Sequence, residues 1–159
     1  MSFVSVLSGS LRYSDSSSSI GYLPEVNVGL AADIGTLSYL PKITGNHSLM
    51  RELAYSAAMF SAADAECLGL VSRVVPGGRT EVVTVALRLA GVIAGKSPIA
   101  VSGTKRILNH VRNHSVPENL DYTAVWNTAA FRTDDITESL RAAGARTAPQ
   151  FPPIRKAKL

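Results

Sequence analysis

The chain has 159 residues, of which 46% are apolar, and a formal net charge of +4. That length and apolar content suffice for one domain with a sizeable core. No stretch approaches the roughly 18 consecutive apolar residues of a membrane-spanning helix. The excess basic residues gather near the end of the chain without interleaved aromatic residues, which argues against a nucleic-acid surface. We therefore expect neither a membrane span nor a nucleic-acid partner.

Cys67 is the only cysteine, so the chain cannot form an internal disulfide. This suits a reducing compartment and argues against a secreted disulfide scaffold. The residue lies in a stretch predicted to be helical, where we expect a buried and chemically inert thiol.

The first 24 residues are rich in serine, with four in succession at 16–19. Because such a segment offers little apolar surface to bury, we predict a disordered leader over residues 1–24. The segment lacks the sustained apolar core of a secretory signal. Arg12 is its only basic residue, which makes it a weak candidate for a transit peptide.

Two carboxylates follow eight residues apart, Glu25 and Asp33, among small and apolar residues. Carboxylates are costly in apolar surroundings unless they are paired or used, and two near one cavity could move a proton between two carbons. There is a structural alternative for each. Glu25 could be a solvated residue at a strand edge, and Asp33 could cap a short helix that begins near Thr36. Spacing alone favours the structural alternative.

The next elements alternate between helix and strand. Apolar spacing predicts a helix over 46–60, and Ser61 followed by Asp64 marks the start of another helix that ends at Gly69. Residues 70–75 are predicted as a short strand closed by Pro76, Gly77 and Gly78.

The rest of the chain is predicted to be helical. Residues 80–94 are apolar on nearly all sides, which indicates a helix covered on most of its surface. Further helices are expected from Ser97 to about Arg112, from Pro117, and from Thr133. Residues 147–159 contain three prolines and are expected to be extended. Taken together, these elements predict a helix-rich body with little strand of its own.

His110 and His114 lie four residues apart, which is the spacing of two metal ligands on one helix face. No third ligand is apparent nearby. We therefore expect solvent-facing histidines and no metal.

The segment after residue 24 resembles the C-terminal half of the enoyl-CoA hydratase/isomerase (crotonase) superfamily. The matching stretches are Glu25–Leu37, Leu40–Lys42, Gly45–Asn46, Ala63–Glu66, Gly69–Val74, Lys96–Val101 and Lys105. Within the superfamily the chain is similar to the Δ3,5-Δ2,4-dienoyl-CoA isomerases, through the acid at Asp33 and the runs 114–116, 120–122 and 126–127.

The resemblance implies an α/β crotonase-like fold of repeated strand-strand-helix units. It also implies an isomerase that moves two conjugated double bonds of an acyl-CoA in unsaturated fatty-acid β-oxidation. By resemblance, Asp33 takes the proton from C2 and Glu25 serves C6. The CoA thioester is the substrate, and no cofactor is implied. Members of the family assemble as trimers or pairs of trimers.

The family's domain is longer than this chain, and its N-terminal half supplies the backbone N–H pair that stabilises the enolate. We therefore expect little or no activity from this chain alone, since losing one oxyanion donor typically costs on the order of 100- to 1,000-fold. The alternative is a non-catalytic truncated isoform that assembles with full-length subunits or is degraded. The expected divisions are an unrelated leader over 1–24, a partial crotonase-like domain with a helical oligomerisation region over 25–146, and a tail over 147–159.

The chain ends in Ala157, Lys158 and Leu159, a close variant of the Ser-Lys-Leu peroxisomal address. Together with the resemblance to a fatty-acid-oxidation family, this predicts recognition by the peroxisomal import receptor and a peroxisomal location. The mitochondrion is the second compartment considered.

Overall fold

A computed structural model describes residues 13–15, 19–33 and 35–153, and the following account concerns these residues. The chain divides into two compact units, Met1–Leu87 and Arg88–Leu159. Each unit is described by itself.

The first unit contains two short paired sheets. Strand β1 (Tyr13–Asp15) pairs in parallel with β4 (Arg73–Val75), and β2 (Ser19–Gly21) pairs antiparallel with β3 (Phe60–Ser61). Strands β1 and β2 fall within residues 1–24, where we predicted a disordered leader. For these two segments the structure differs from that expectation. Their backbone N–H and C=O groups are hydrogen-bonded to β4 and β3, partners that the serine-rich composition does not indicate.

The apolar core of the first unit lies between its short helices. These are a 3-10 helix at Pro24–Val28, α1 (Thr36–Tyr39), a second 3-10 helix at Leu40–Lys42, α2 (His47–Ser56) and α3 (Ala62–Cys67). The cluster of buried side chains consists of Leu23, Leu40, Met50, Leu53 and Leu68. Leu23 belongs to this cluster and immediately precedes the first 3-10 helix, so the core anchors the start of that helix.

Local signals set the ends of α2 and α3. Asn46 caps α2 by accepting the Leu49 N–H, and the helix ends at Ser56, immediately before Ala57, which has a φ of 50°. The helix is therefore shorter than the predicted 46–60. Ser61 and Asp64 form the expected capping box, which confirms the predicted start of α3. Cys67 at the end of α3 is exposed, so the prediction of a buried thiol was wrong.

Helix α4 (Arg79–Ala94) spans the division between the units, and none of its residues is buried. Val83, Leu87 and Val92 are each about half exposed or more. The cover that its composition predicts is therefore not supplied by the described part of this chain. In the same described residues, no single helix is long and apolar enough to cross a membrane.

The second unit is built from α5 (Pro98–His110), α6 (Val116–Ala130) and α7 (Asp134–Ala145). Helices α5 and α6 pack at a point where Gly103 faces the indole of Trp126. The Arg106 guanidinium lies 5.4 Å from the centre of that indole. The absence of a side chain at Gly103 thus permits a close approach of the two helices.

One of the two histidines of the second unit departs from the prediction of solvent-facing side chains. The His110 ring is half-buried, with its centre 3.6 Å from that of His114 and 4.2 Å from that of Tyr122. His114 is exposed, as expected. The expectation was wrong for His110 because Tyr122 comes from the following helix, which helix-face spacing within α5 could not anticipate.

Glu138 on α7 joins that helix to the segment after it. Its carboxylate accepts two hydrogen bonds from the Arg141 guanidinium, at 2.7 and 2.8 Å, and a third from the Gln150 backbone N–H at 2.8 Å. These hydrogen bonds, chiefly those from Arg141 and to a lesser extent the one from Gln150, lower the pKa of Glu138 from 4.5 to about 2.

We expect the link to Gln150 to weaken in acid. A carboxyl whose pKa is depressed on folding stabilises the folded state above its unfolded pKa, and that contribution disappears as the pH falls toward the folded pKa. The loss should therefore run from pH 4.5 to about 2. Amide NMR of Gln150 would follow it, with Glu138→Gln as the control that lacks the transition. A Gln150 signal that changes equally in Glu138→Gln would contradict the assignment.

Candidate active site

Glu25 lies in the first 3-10 helix, which begins with Pro24. Proline is favoured at the first helical position because its φ is already helical and its missing N–H has no helical partner. The buried Leu23 precedes it, so the backbone of Glu25 is held from the N-terminal side by a core residue and a rigid one. This placement rules out the alternative of a solvated strand edge for Glu25.

The side chain of Glu25 is half-buried, and its Oε2 atom is buried without a hydrogen-bond partner among the described residues. A buried acceptor left unpaired costs roughly 1–3 kcal/mol. Because buried polar atoms are nearly always satisfied, an exception at a carboxylate calls for an explanation, and sites of proton transfer are one place where such exceptions occur.

Asp33 lies in the turn that follows the 3-10 helix, and its side chain is exposed. Its backbone carbonyl accepts the N–H of Gly35 at 2.5 Å. Gly35, with a φ of 81°, is the residue that precedes α1, and no side chain caps that helix. The alternative in which Asp33 caps the helix is therefore wrong, because the helix starts two residues later than an Asp33 cap requires.

The structure thus places both predicted acids in one loop of the first unit, on either side of Gly29 and Leu30. In the part of the chain described, no hydrogen bond or ion pair joins the two carboxyl groups. Among the described residues, no partner holds Glu25 Oε2, and the Asp33 side chain is exposed. Their catalytic roles stay predictions at this point.

Other candidate groups lie elsewhere or outside the described residues. Ala157, Lys158 and Leu159, the predicted peroxisomal address, fall in the part of the chain that is not described. Within 13–15, 19–33 and 35–153, no group of three or more metal-ligating side chains occurs. A cavity of ≈ 260 Å³ in the second unit is lined by α5, α6 and α7 and includes the buried Asp135, but neither predicted acid contributes to it.

Sequence reasoning missed the two glycines of this loop as structural parts of the site. Gly29 and Gly35 both have positive φ, at 78° and 81°, and each lies two to four residues after an acid. The signal was present, since glycine is the usual residue where a helix ends or begins in the left-handed region.

The chain is similar to a known protein family over most of its length. The pattern of the family described as Enoyl-CoA hydratase/isomerase matches residues 5–152. This match begins inside the stretch that we expected to be an unrelated leader, and β1 and β2 lie within it.

Two curated relatives are both named as Δ3,5-Δ2,4-dienoyl-CoA isomerases. The chain is 50% identical over 119 residues to the mitochondrial Δ3,5-Δ2,4-dienoyl-CoA isomerase of Rattus norvegicus, covering 75% of this chain and 36% of that protein. It is 43% identical over 129 residues to the peroxisomal protein of the same name from Arabidopsis thaliana, covering 81% of this chain and 46% of that protein. The chain therefore spans less than half the length of these relatives.

The fold is also shared with solved structures. An enoyl-CoA hydratase from Mycobacterium tuberculosis H37Rv superposes with a TM-score of 0.78 at 29% identity, covering 90% of this chain and 55% of the other. This likeness confirms the predicted α/β crotonase-like class, in a chain that is itself helix-rich. On the family pattern, the relatives and the fold together, the chain belongs to the enoyl-CoA hydratase/isomerase family.

Proposed function

We propose that Glu25 and Asp33 are the proton-transfer groups of a Δ3,5-Δ2,4-dienoyl-CoA isomerase that acts in the β-oxidation of unsaturated fatty acids. The observation that carries the proposal is the buried Oε2 of Glu25, which has no hydrogen-bond partner among the described residues and lies eight residues before a second acid with an exposed side chain. The 50% identity to the rat protein of that name supports this choice of reaction within the family.

The reaction moves one proton and shifts two double bonds. Asp33 takes a proton from C2, which the thioester makes acidic, and the electron pair of that C–H bond forms the new C2–C3 double bond. The C3–C4 pair moves to C4–C5, and the C5–C6 pair takes a proton from Glu25 at C6. The loss of a hydrogen at C2 and the gain of one at C6 cancel, so there is no net oxidation or reduction and the isomerisation requires no redox cofactor; the acyl-CoA is the substrate.

Two carboxylates suit this chemistry better than one. C2 and C6 lie several bonds apart on an extended diene, and a general acid or base must be within hydrogen-bond reach of the proton that it transfers. One acid at each end of the diene meets that requirement, and Glu25 and Asp33 are placed in one loop of one unit.

The test is an ultraviolet assay of the purified chain with a 3,5-dienoyl-CoA, following the conjugated 2,4-dienoyl-CoA product. We expect a low rate, because general acid–base catalysis contributes only about 100- to 10,000-fold of the acceleration that whole enzymes reach. The relatives devote more than half of their length to residues outside the match. A rate equal to that of the uncatalysed reaction would contradict an active site in this chain.

A second, non-catalytic role is assembly with longer subunits of the same family. The observation that favours it is exposed apolar surface in the second unit, where Leu120, Val125 and Leu140 are 63–72% exposed. Exposed apolar surface of this kind is a candidate for contact with another subunit, or for aggregation. Co-purification of a tagged chain in trimers or hexamers with a full-length relative would support assembly. An aggregated or rapidly degraded chain would contradict it.

We further propose import into peroxisomes through Ala157, Lys158 and Leu159. The names of the relatives include both mitochondrial and peroxisomal proteins, so both compartments are plausible for this chain. A fluorescent protein fused to the N-terminus should lose peroxisomal localisation when the last three residues are deleted. An unchanged distribution would contradict the role of these residues.

A further inference from the structure

Each proposed catalytic acid is followed by a glycine of positive φ that donates its N–H to the backbone carbonyl of that acid. Gly29, at a φ of 78°, donates to the carbonyl of Glu25 and to that of Val26. Gly35, at a φ of 81°, donates to the carbonyl of Asp33. The two bonds differ in span: Gly29 lies four residues after Glu25 at the end of a 3-10 helix, whereas Gly35 lies two residues after Asp33 and immediately precedes α1.

The arrangement at Glu25 is a complete Schellman closure. The Leu30 N–H donates to the Glu25 carbonyl at 3.0 Å, and the Gly29 N–H donates to the Val26 carbonyl at 3.4 Å. These are the paired bonds of a helix end that closes through a left-handed residue. The carbonyl of Glu25 is the acceptor that the closure holds, and Pro24 fixes the backbone on its other side.

Steric space does not explain the glycine at position 29. A Cβ built on Gly29 would meet no heavy atom within 4 Å. Position 29 requires the left-handed backbone conformation, which glycine adopts readily and asparagine to a lesser degree. The requirement at this position is therefore conformational and acts directly on the backbone of Glu25.

We propose that Gly29 is a positioning residue for Glu25, whose left-handed conformation fixes the Glu25 backbone and so holds the buried Oε2 at the place where it meets C6 of the substrate. This inference rests on the function proposed above for Glu25. Gly35 contacts the Asp33 backbone through a single bond without such a closure, and a Cβ there would approach the Tyr39 ring at 3.1 Å, so Gly29 is the position to test.

The chain contains a matched control. Gly69, at a φ of 74°, closes the end of α3 with the same pair of bonds, from Leu70 N–H to the Ala65 carbonyl and from Gly69 N–H to the Glu66 carbonyl. The residue that this closure holds is an alanine. A substitution at Gly69 therefore carries the same backbone penalty as one at Gly29 without acting on either proposed acid.

The experiment compares Gly29→Ala, Gly29→Asn and Gly69→Ala. Gly29→Ala should lower kcat by roughly 10- to 100-fold, the range expected when a reacting group is misplaced by a fraction of an ångström to an ångström, with KM little changed. Gly29→Asn should restore most of kcat because asparagine tolerates the left-handed region. Gly69→Ala should lose thermal stability to a similar degree while retaining kcat. Equal losses of kcat in Gly29→Ala and Gly69→Ala would overturn the proposal.

A second readout does not depend on turnover. In the chain labelled with ¹³C-glutamate, the Glu25 carboxyl signal, assigned through its absence in Glu25→Gln, should move or broaden in Gly29→Ala and stay in place in Gly29→Asn and Gly69→Ala. An unmoved signal in Gly29→Ala would overturn the positioning role. If the wild-type chain shows no turnover but the signal responds as expected, the proposed reaction fails and the positioning of Glu25 stands. If Gly29→Ala does not fold, Gly29→Ser against Gly29→Asn makes the same comparison.

Discussion

Glu25→Gln and Asp33→Asn are each expected to lower isomerase turnover by about 100-fold or more, which is the lower end of what a positioned general acid or base contributes. Both substitutions keep the size and shape of the side chain and remove its ability to exchange a proton. Neither should unfold the chain, because neither carboxyl group makes a side-chain hydrogen bond within the described residues. The loss should therefore appear in kcat without a fall in the melting temperature.

Isotope exchange separates the two roles. In deuterated water, Glu25→Gln should still exchange the C2 protons of the substrate, because Asp33 can remove and return a proton there while delivery to C6 is blocked. Asp33→Asn should lose both C2 exchange and product formation. Glu52→Gln is the matched control, since Glu52 is an exposed glutamate on α2 of the same unit. If Glu52→Gln lowers turnover as much as Glu25→Gln does, or if Asp33→Asn retains C2 exchange, the assignment of the roles is wrong.

The site shows what sequence could and could not predict. The two acids were identifiable as candidates because they stand among small apolar residues, but spacing alone favoured a cap for Asp33 and a strand edge for Glu25. Those alternatives failed for a backbone reason. Gly35 takes the position before α1, and Pro24 with Gly29 forms a closed 3-10 turn around Glu25. The periodicity of side chains along a sequence predicts where a helix lies, but it does not indicate a residue with a positive φ. Such a residue, Gly35, shifts the start of α1 by two residues.

In the fold, features that depend on neighbouring residues were predicted correctly, and features that depend on distant residues or unusual backbone angles were not. The capping box of Ser61 and Asp64 was predicted correctly because both partners lie within one helical turn. Strand β1 was missed because the segment with which it pairs, at Arg73–Val75, is about 60 residues away and cannot be read from a serine-rich stretch. Helix α2 ended early, immediately before Ala57, whose left-handed φ has no sequence signal, since alanine rarely adopts it. Distant pairing and unusual backbone angles account for these misses.

Gly103→Ala should destabilise the second unit by about 1–3 kcal/mol, the usual cost of forcing extra atoms into a packed contact. A Cβ at this position would lie 2.6 Å from Cε2 and 2.8 Å from Cδ1 of Trp126, and it would also meet the indole nitrogen. Relief of these short distances requires the Trp126 ring or α5 to shift, which disturbs the packing around the buried Gly103. Chemical denaturation of wild type and variant would measure the difference.

The sign of that change is the decisive part of the prediction. Glycine in a helix interior is normally worse than alanine by roughly 0.5–1 kcal/mol, so a glycine-to-alanine change without a steric conflict should stabilise. Gly91 in α4 offers this control, because a Cβ there would meet nothing within 4 Å. We expect Gly91→Ala to be neutral or stabilising and Gly103→Ala to be destabilising. In a Trp126→Leu background, the cost of Gly103→Ala should shrink, because residues in direct contact show coupled effects. Equal costs of Gly103→Ala in both backgrounds would mean that the contact with Trp126 does not limit the approach of α5 and α6.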